Sequence, residues 1–335
     1  MTLGVAVVVF VLSGAVVAWA GIRLSVAGDE VAETTGMSGL LVGTILVAGA
    51  TSLPEIVTNV AAAISGAPDL AIGNLFGSNA VNMAILGIVD LAGKQQVWNR
   101  IEGGHARVAS IAIALTALGV LAVLAPPRVA VGWVGIDTLF IAGNYVATLA
   151  WMRRSPVGRF SDQARAIEEA PRTQASSPDR ARRAVFRFVV AAALILVSAP
   201  VMASSAEAIA DATGIGQTFI GATLLAVVTS IPELVSCLAA VRIGAHDLAV
   251  GNLFGSNAYN MFTLVIADVA YLPGPILADV HPAQAVGGVV AILLTAISLA
   301  AIVHGTETRI YRLEPDAVVI LLMYLIGMYA VWAAS

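Results

Sequence analysis

The sequence predicts an all-α membrane protein of ten transmembrane helices, arranged as two inverted-topology five-helix repeats. Three observations carry that reading. Of 335 residues, 59% are hydrophobic and 11% charged, whereas a soluble domain carries about a quarter charged residues. Apolar runs long enough to cross a hydrocarbon core of ~30 Å recur from one end of the chain to the other. Finally, segments 43–86 and 221–264 align without a gap, with 26 of 44 positions identical.

The first run, from Leu3 to Ile22, has no basic region ahead of it and no small-residue cleavage site behind it. It is too long for the core of a signal peptide and is expected to stay as the first span. Spans are expected at about 3–26, 37–64, 70–92, 106–125 and 129–152, then at 185–210, 215–242, 247–271, 284–304 and 315–334. Residues 1–152 form the N-terminal half and 185–335 the C-terminal half. Between them, 153–184 is a linker rich in Arg, Ser, Pro and Gln, too weakly hydrophobic to build a core.

Basic residues set the orientation. With the linker cytoplasmic, Arg23, Lys94, Arg100, Arg107, Arg242, Arg309 and Arg312 fall on the same side, and only Arg128 falls outside. Both termini are then outside, and the expected location is the plasma (inner) membrane. Five spans is an odd number, so the two halves enter the bilayer from opposite faces. Inverted repeats of this kind place a binding site at their interface near the midplane.

Within the repeats it is the polar residues that are held in common. Thr51-Ser52-Leu53-Pro54-Glu55 is matched by Thr229-Ser230-Ile231-Pro232-Glu233. A proline inside a helix removes a donor and clashes with the preceding turn, so carbonyls near Ala48 to Thr51 and Ala226 to Thr229 are expected to be partly freed. Glu55 and Glu233 lie mid-span, where a carboxylate costs several kcal/mol and is by default functional. Neither has a basic residue nearby in its helix, so the partner must be a bound cation or a proton. The second part of each repeat runs from Gly73 to Asn82 and from Gly251 to Asn260. Its paired glycines suit close helix approach. Asn74, Asn79, Asn252 and Asn257 are expected to join helices, while Ser78, Asn82, Ser256 and Asn260 are expected to line the site.

Two carboxylates with neutral oxygens, and no sulfur or imidazole, suit Ca²⁺, which takes 6–8 oxygen ligands at ~2.3–2.6 Å. Two Na⁺ or two protons could balance the same charge, and such mutually exclusive occupancy is a chemical basis for exchange. Asp69 and Asp247 are expected to cap helix starts, Asp90 and Asp268 to be solvated or interfacial, and Glu33 and Asp211 to line a vestibule. Cys237, the single cysteine, is expected to be a small buried apolar residue. His105, His246, His281 and His304 are scattered at span ends and loops.

The paired Thr-Ser-x-Pro-Glu and Gly-Asn-x-x-Gly-Ser-Asn segments resemble the alpha repeats of the cation/calcium antiporter superfamily, which includes the sodium/calcium exchangers. The resemblance implies that Glu55 and Glu233 are central calcium ligands, helped by the carbonyls of Thr51 and Thr229. It implies flanking sodium positions from Ala48, Ser52 and Ser256 with Glu55, and from Ala226, Ser230 and Ser78 with Glu233. Asn82 and Asn260 correspond to the polar pair between them, and the first and sixth spans would slide across the bundle to alternate access. The position of Asn260 is often aspartate in exchangers of this pattern, which leaves two carboxylates here rather than three. The linker is too short for a calcium-sensing module.

The expected activity is Ca²⁺/Na⁺ antiport, with Ca²⁺/H⁺ antiport as the alternative and a passive cation channel as a distant one. An intramembrane protease would need mid-span aspartates, or a histidine within the membrane, and the sequence places neither. No enzyme activity, cofactor, nucleic acid or obligate protein partner is expected; the partners are the lipid bilayer and the transported ions Ca²⁺ and Na⁺.

Overall fold

A computed structural model describes residues 1–34, 51–92, 104–126, 129–154, 178–242, 246–304 and 315–335. The expected start of the second span, most of the linker, and Ala48, Lys94, Arg100, Arg128, Arg309 and Arg312 lie outside these residues.

The first half gives α1 (Leu3–Thr34), α2 (Leu53–Ser65), α3 (Pro68–Ala92), α4 (Gly104–Leu124) and α5 (Ile136–Arg154). The second gives α6 (Pro178–Thr213), α7 (Gln217–Thr229), α8 (Ile231–Arg242), α9 (His246–Ala270), α10 (Gln284–His304) and α11 (Pro315–Ala334). Glu55 and Glu233 are 178 positions apart. Adding that offset to α1 through α5 lands on α6, α8, α9, α10 and α11 in turn, with ends agreeing to within three residues. Among the described residues the repeat therefore extends through all five helices of the first half, well past the windows in which the sequences are alike.

Among the described residues, six helices are long and apolar enough to cross a membrane: α1, α3, α4, α6, α10 and α11. The pair α7–α8, bent by 44°, makes a seventh if it is one span. The other expected spans correspond to α2, whose beginning is not described, and to α5 and α9, which are helical but shorter or more polar. In α9, Tyr259 and Thr263 stand where α3 has Val81 and Ile85, which makes its apolar run weaker than that of α3. Large apolar side chains such as Leu12, Phe186, Val197 and Leu325 are exposed. In a bilayer these face lipid and need no further burial.

The two long helices overrun the expected spans. At ~1.5 Å per residue, the 36 residues of α6 reach ~54 Å, well beyond the ~30 Å hydrocarbon layer. Its first turns, with Arg180, Arg182 and Arg183, therefore project from the apolar layer as helix where a linker was expected. Ahead of α5, the span expected from 129 starts instead with a two-stranded hairpin, β1 (Ala130–Val131) and β2 (Val134–Gly135). Its two-residue turn is made by Gly132 at φ 68°, the left-handed conformation such a turn needs and glycine accepts without strain.

α1 and α6 pack along one another as a pair, sharing a core of Ala6, Val17, Leu24, Ile195 and Met202 with Leu70 and Ile220 of the bundle. α3 is the innermost element, with 94% of its apolar window buried, against 22% for α6.

Candidate functional site

Each Pro-Glu pair sits just past a break in its helix. The backbone leaves helical geometry at Ser52 (φ −87°, ψ 3°) and at Ser230 (φ −88°, ψ 7°). The ladder resumes with Ile56 N–H donating to the Ser52 carbonyl at 3.1 Å and Leu234 N–H to the Ser230 carbonyl at 3.2 Å. This is what Pro54 and Pro232 impose, since neither can donate to the turn before it. Glu55 and Glu233 thereby fall in the first turns of α2 and α8. There the positive ends of the helix dipoles favour negative charge.

The two carboxylates are 2% and 1% exposed and close enough for their charges to repel. Glu55 takes its hydroxyl partner from the opposite repeat. Ser230 Oγ donates to Glu55 Oε1 at 3.4 Å, while the neighbouring Thr229 hydroxyl donates to the Leu225 carbonyl at 3.0 Å. Among the described residues neither glutamate is paired with a basic side chain. The second oxygens, Glu55 Oε2 and Glu233 Oε2, are buried without a hydrogen-bond partner. So are Ser52 Oγ, Ser256 Oγ, Asn82 Oδ1 and Thr58 Oγ1. Buried polar atoms are nearly always satisfied, and six orphaned oxygens within the repeats form a donor set suited to a hard cation.

The asparagines cross-brace α3 and α9. Asn79 Nδ2 donates to the Asn257 carbonyl at 3.3 Å, and Asn257 Nδ2 returns the bond to the Asn79 carbonyl at 3.1 Å. Asn82 Nδ2 then donates to Asn257 Oδ1 at 2.9 Å and Asn260 Nδ2 to Asn79 Oδ1 at 3.0 Å. Asn79 and Asn257 are helix-joining residues, as expected. Asn82 joins them through its amide, which leaves its carbonyl oxygen free for the site. Asn74 is also structural: its Nδ2 donates to Asn59 Oδ1 at 2.6 Å, and its own Oδ1 accepts the Thr229 hydroxyl at 3.3 Å. Ser78 Oγ meets Thr229 Oγ1 at 3.5 Å. Ala226 closes this side, its carbonyl accepting Ser230 N–H at 3.1 Å, so that carbonyl is not freed as expected but stays in the helix ladder, and a cation would meet it only through its second lone pair. Ala48, its counterpart, is outside the described residues.

Close approach of α3 to α7 holds these groups in register. A Cβ on Gly73 would come within 2.7 Å of the Thr218 carbonyl oxygen, and one on Gly77 within 2.5 Å of Ala222 Cα. The facing backbone of α7 is widened into a π-helical turn over Gly221–Leu225, a feature frequent at functional sites that the sequence did not signal. Thr58 was likewise missed, though it lies three residues beyond Glu55 on the same helical face.

The aspartates need correction. Asp90 and Asp268 are 1% and 0% exposed, not solvated. Asp268 accepts Gly135 N–H at 2.8 Å, Thr138 Oγ at 2.5 Å and Ile276 N–H at 2.7 Å, clamping the hairpin to the end of α9. Asp69 ties the start of α3 to the loop before α10, accepting His281 N–H at 2.7 Å and Gln284 Nε2 at 3.0 Å. Asp211 is exposed, while the side chains of Glu33, Asp247 and His304 are not described. Cys237 is fully buried, as expected.

The family model described as sodium/calcium exchanger protein matches residues 5–151 and 183–333. The sodium/calcium exchanger MaX1 of Methanosarcina acetivorans is 27% identical over 261 residues, 71% of this chain and 75% of that one. Among solved structures, the sodium-calcium exchanger NCX_Mj superposes with a TM-score of 0.60 at 21% identity, covering 98% of this chain and 99% of its own. The H⁺/Ca²⁺ exchanger CAX superposes with a TM-score of 0.65 at 16% identity, covering 97% and 88%. At those identities the structural likeness is one of fold.

Proposed function

The chain belongs to the sodium/calcium exchanger protein family, and on that premise we propose that it exchanges Ca²⁺ for Na⁺ by alternating access. Membership makes it a multi-pass membrane transporter rather than an enzyme. The observation that carries the finer reading is the glutamate pair: two buried carboxylates, each with one oxygen unpartnered and no basic neighbour among the described residues, with Glu55 reached by the Ser230 hydroxyl of the other repeat. A divalent cation between Glu55 and Glu233 would neutralise both charges, with the Thr51 and Thr229 carbonyls completing its shell. Ser52 and Ser256 would serve a sodium position beside Glu55 together with Ala48. Ser230, Ser78 and Ala226 would serve the one beside Glu233, with Asn82 and Asn260 between them. Hydroxyl oxygens without partners at Ser52 and Ser256 favour Na⁺ over a site that only has to take up protons.

The topology we propose is ten spans in two inverted halves, with both termini outside, the linker cytoplasmic and the protein in the plasma (inner) membrane. The constant offset between helices supports the two-fold organisation. In this scheme α1 and α6, which pack as a pair on the rest of the bundle, slide together to open the site to either face.

Calcium uptake into proteoliposomes, driven by an imposed Na⁺ gradient and separately by a pH gradient, tests the coupling ion. Uptake driven by Na⁺ supports the proposal; uptake driven by pH alone replaces it with Ca²⁺/H⁺ exchange. That second reading is favoured by one observation, asparagine at both 82 and 260, which leaves two carboxylates to balance two protons. Calcium conductance with no counter-ion would instead indicate a channel.

A further inference from the structure

Between α1 and α6, at the end where α6 carries its arginines, lies a groove of about 230 Å³. Trp19, Arg23, Val26 and Glu30 line it from α1, and Phe186, Arg187 and Val190 from α6. The Arg23 guanidinium lies 5.5 Å from the centre of the Trp19 ring, and among the described residues it makes no ion pair. Arg187 is paired with Glu30 at 3.0 Å, but its side chain remains 59% exposed. The apolar run of α1 ends at Gly28, so Arg23 sits roughly 7 Å short of that end, at the depth where an arginine reaches toward lipid headgroups. Trp and Tyr favour the same depth.

We propose that this groove binds one anionic phospholipid, its phosphate on Arg23 and Arg187 and an acyl chain against Val26, Val190 and Leu194. Charge and shape agree on the occupant. Two guanidinium groups against the single Glu30 carboxylate leave the mouth with a net positive charge that suits a phosphate, and the apolar floor leaves a soluble anion without a partner for most of the cavity. Exposed Arg180, Arg182 and Arg183 on the adjoining turns add the basic cluster that draws anionic lipid to a membrane surface. The repeat does not account for this chemistry. At the opposite end of the helix pair, the positions equivalent to Trp19, Arg23, Phe186 and Arg187 are Val197, Val201, Val8 and Val9. The groove is thus a one-sided feature set between the two helices proposed to move.

Native mass spectrometry of the full-length protein in detergent, given equal amounts of phosphatidylglycerol and phosphatidylcholine, tests it. One phosphatidylglycerol is expected to be retained preferentially. Arg23→Gln should weaken retention about fivefold, Arg23→Lys should keep most of it, and Arg182→Gln, outside the groove, should change it less than about twofold. Millimolar inorganic phosphate should not displace the lipid. Equal retention of the two lipids, unchanged retention in Arg23→Gln, or displacement by inorganic phosphate overturns the proposal. Size-exclusion profiles confirm that the variants are folded, and Arg23→Lys keeps the test decisive should Arg23→Gln fail to fold.

Discussion

The two copies of the repeat are alike at the centre and unlike at the rim. Ser52 and Ser230 share one backbone conformation to within a few degrees, and Asn79 and Asn257 exchange the same bond in both directions. Farther along the same helices the likeness ends. Tyr259 meets Tyr145 edge-on at 6.2 Å and Phe262 packs tilted against it at 5.2 Å, where the first copy has Val81, Ala84 and, opposite them, Met323. The difference follows from what each region has to do. On the proposed exchange, a cation taken from one face and released at the other would meet equivalent ligands in both states, which would bind the groups around it to the two-fold relation. The rim only has to hold helices together, and many packings serve.

The strongest way to break that comparison is to neutralise the glutamates one at a time. Glu55→Gln and Glu233→Gln should each lower calcium exchange by two orders of magnitude or more, since removing one partner of a buried charged contact costs ~3–5 kcal/mol. Both variants should still insert, because neutralising a membrane-buried charge eases folding. Vesicle flux normalised to inserted protein measures this. Full flux in either variant removes that residue from the site, and a large difference between the two would mean that the centre is less symmetric than its geometry.

At the rim, Asp268→Ala should act on stability alone. Two buried backbone donors, Gly135 N–H and Ile276 N–H, and the Thr138 hydroxyl lose their acceptor, at about 3 kcal/mol. Thermal unfolding in detergent should show the loss, while flux per folded protein stays near that of the parent. A collapse of flux with stability intact would move Asp268 from the rim to the transport path.

Gly77→Ala probes the seam between the two regions. Its new Cβ would meet the Ala222 backbone at 2.5–2.8 Å, atoms that cannot swing aside, so a destabilisation of ~1–3 kcal/mol is expected. An unshifted melting temperature would show that α3 and α7 are not in close contact.

How much of this could be read beforehand divides along the same line. The central residues announced themselves because they are repeated, and two copies of Thr-Ser-x-Pro-Glu in an apolar chain demand a polar task. The kinks followed from Pro54 and Pro232, and close packing at Gly73 and Gly77 from glycine spacing. What escaped depends on contacts between segments far apart in sequence. Asp268 looks like a residue at the end of a span, and only the return of the hairpin buries it. The π turn at Gly221–Leu225 answers the backbone of α3. The groove beside Arg23 exists because Arg187 arrives from the other half. Local pattern fixes the element; the partner across the interface decides what the element's ends do.

The smallest and most informative change is at the asparagine pair. Asn260→Asp removes the amide that donates to Asn79 Oδ1 at 3.0 Å and sets two acceptors against each other, at about 1–3 kcal/mol. It also places a third carboxylate beside the first two, which should favour higher positive charge at the site and so alter the number of counter-ions exchanged per Ca²⁺. By the two-fold relation, Asn82→Asp faces Asn257 Oδ1, to which Asn82 now donates at 2.9 Å, and should behave alike. Measuring the membrane potential at which flux reverses gives the stoichiometry of each variant. A matched shift in both extends the symmetry of the centre from geometry to ion counting. A shift in one alone would confine the two-fold relation to the backbone and assign the ions to one side. Unaltered stoichiometry in both would leave the asparagines as braces and put the transported charge wholly on Glu55 and Glu233.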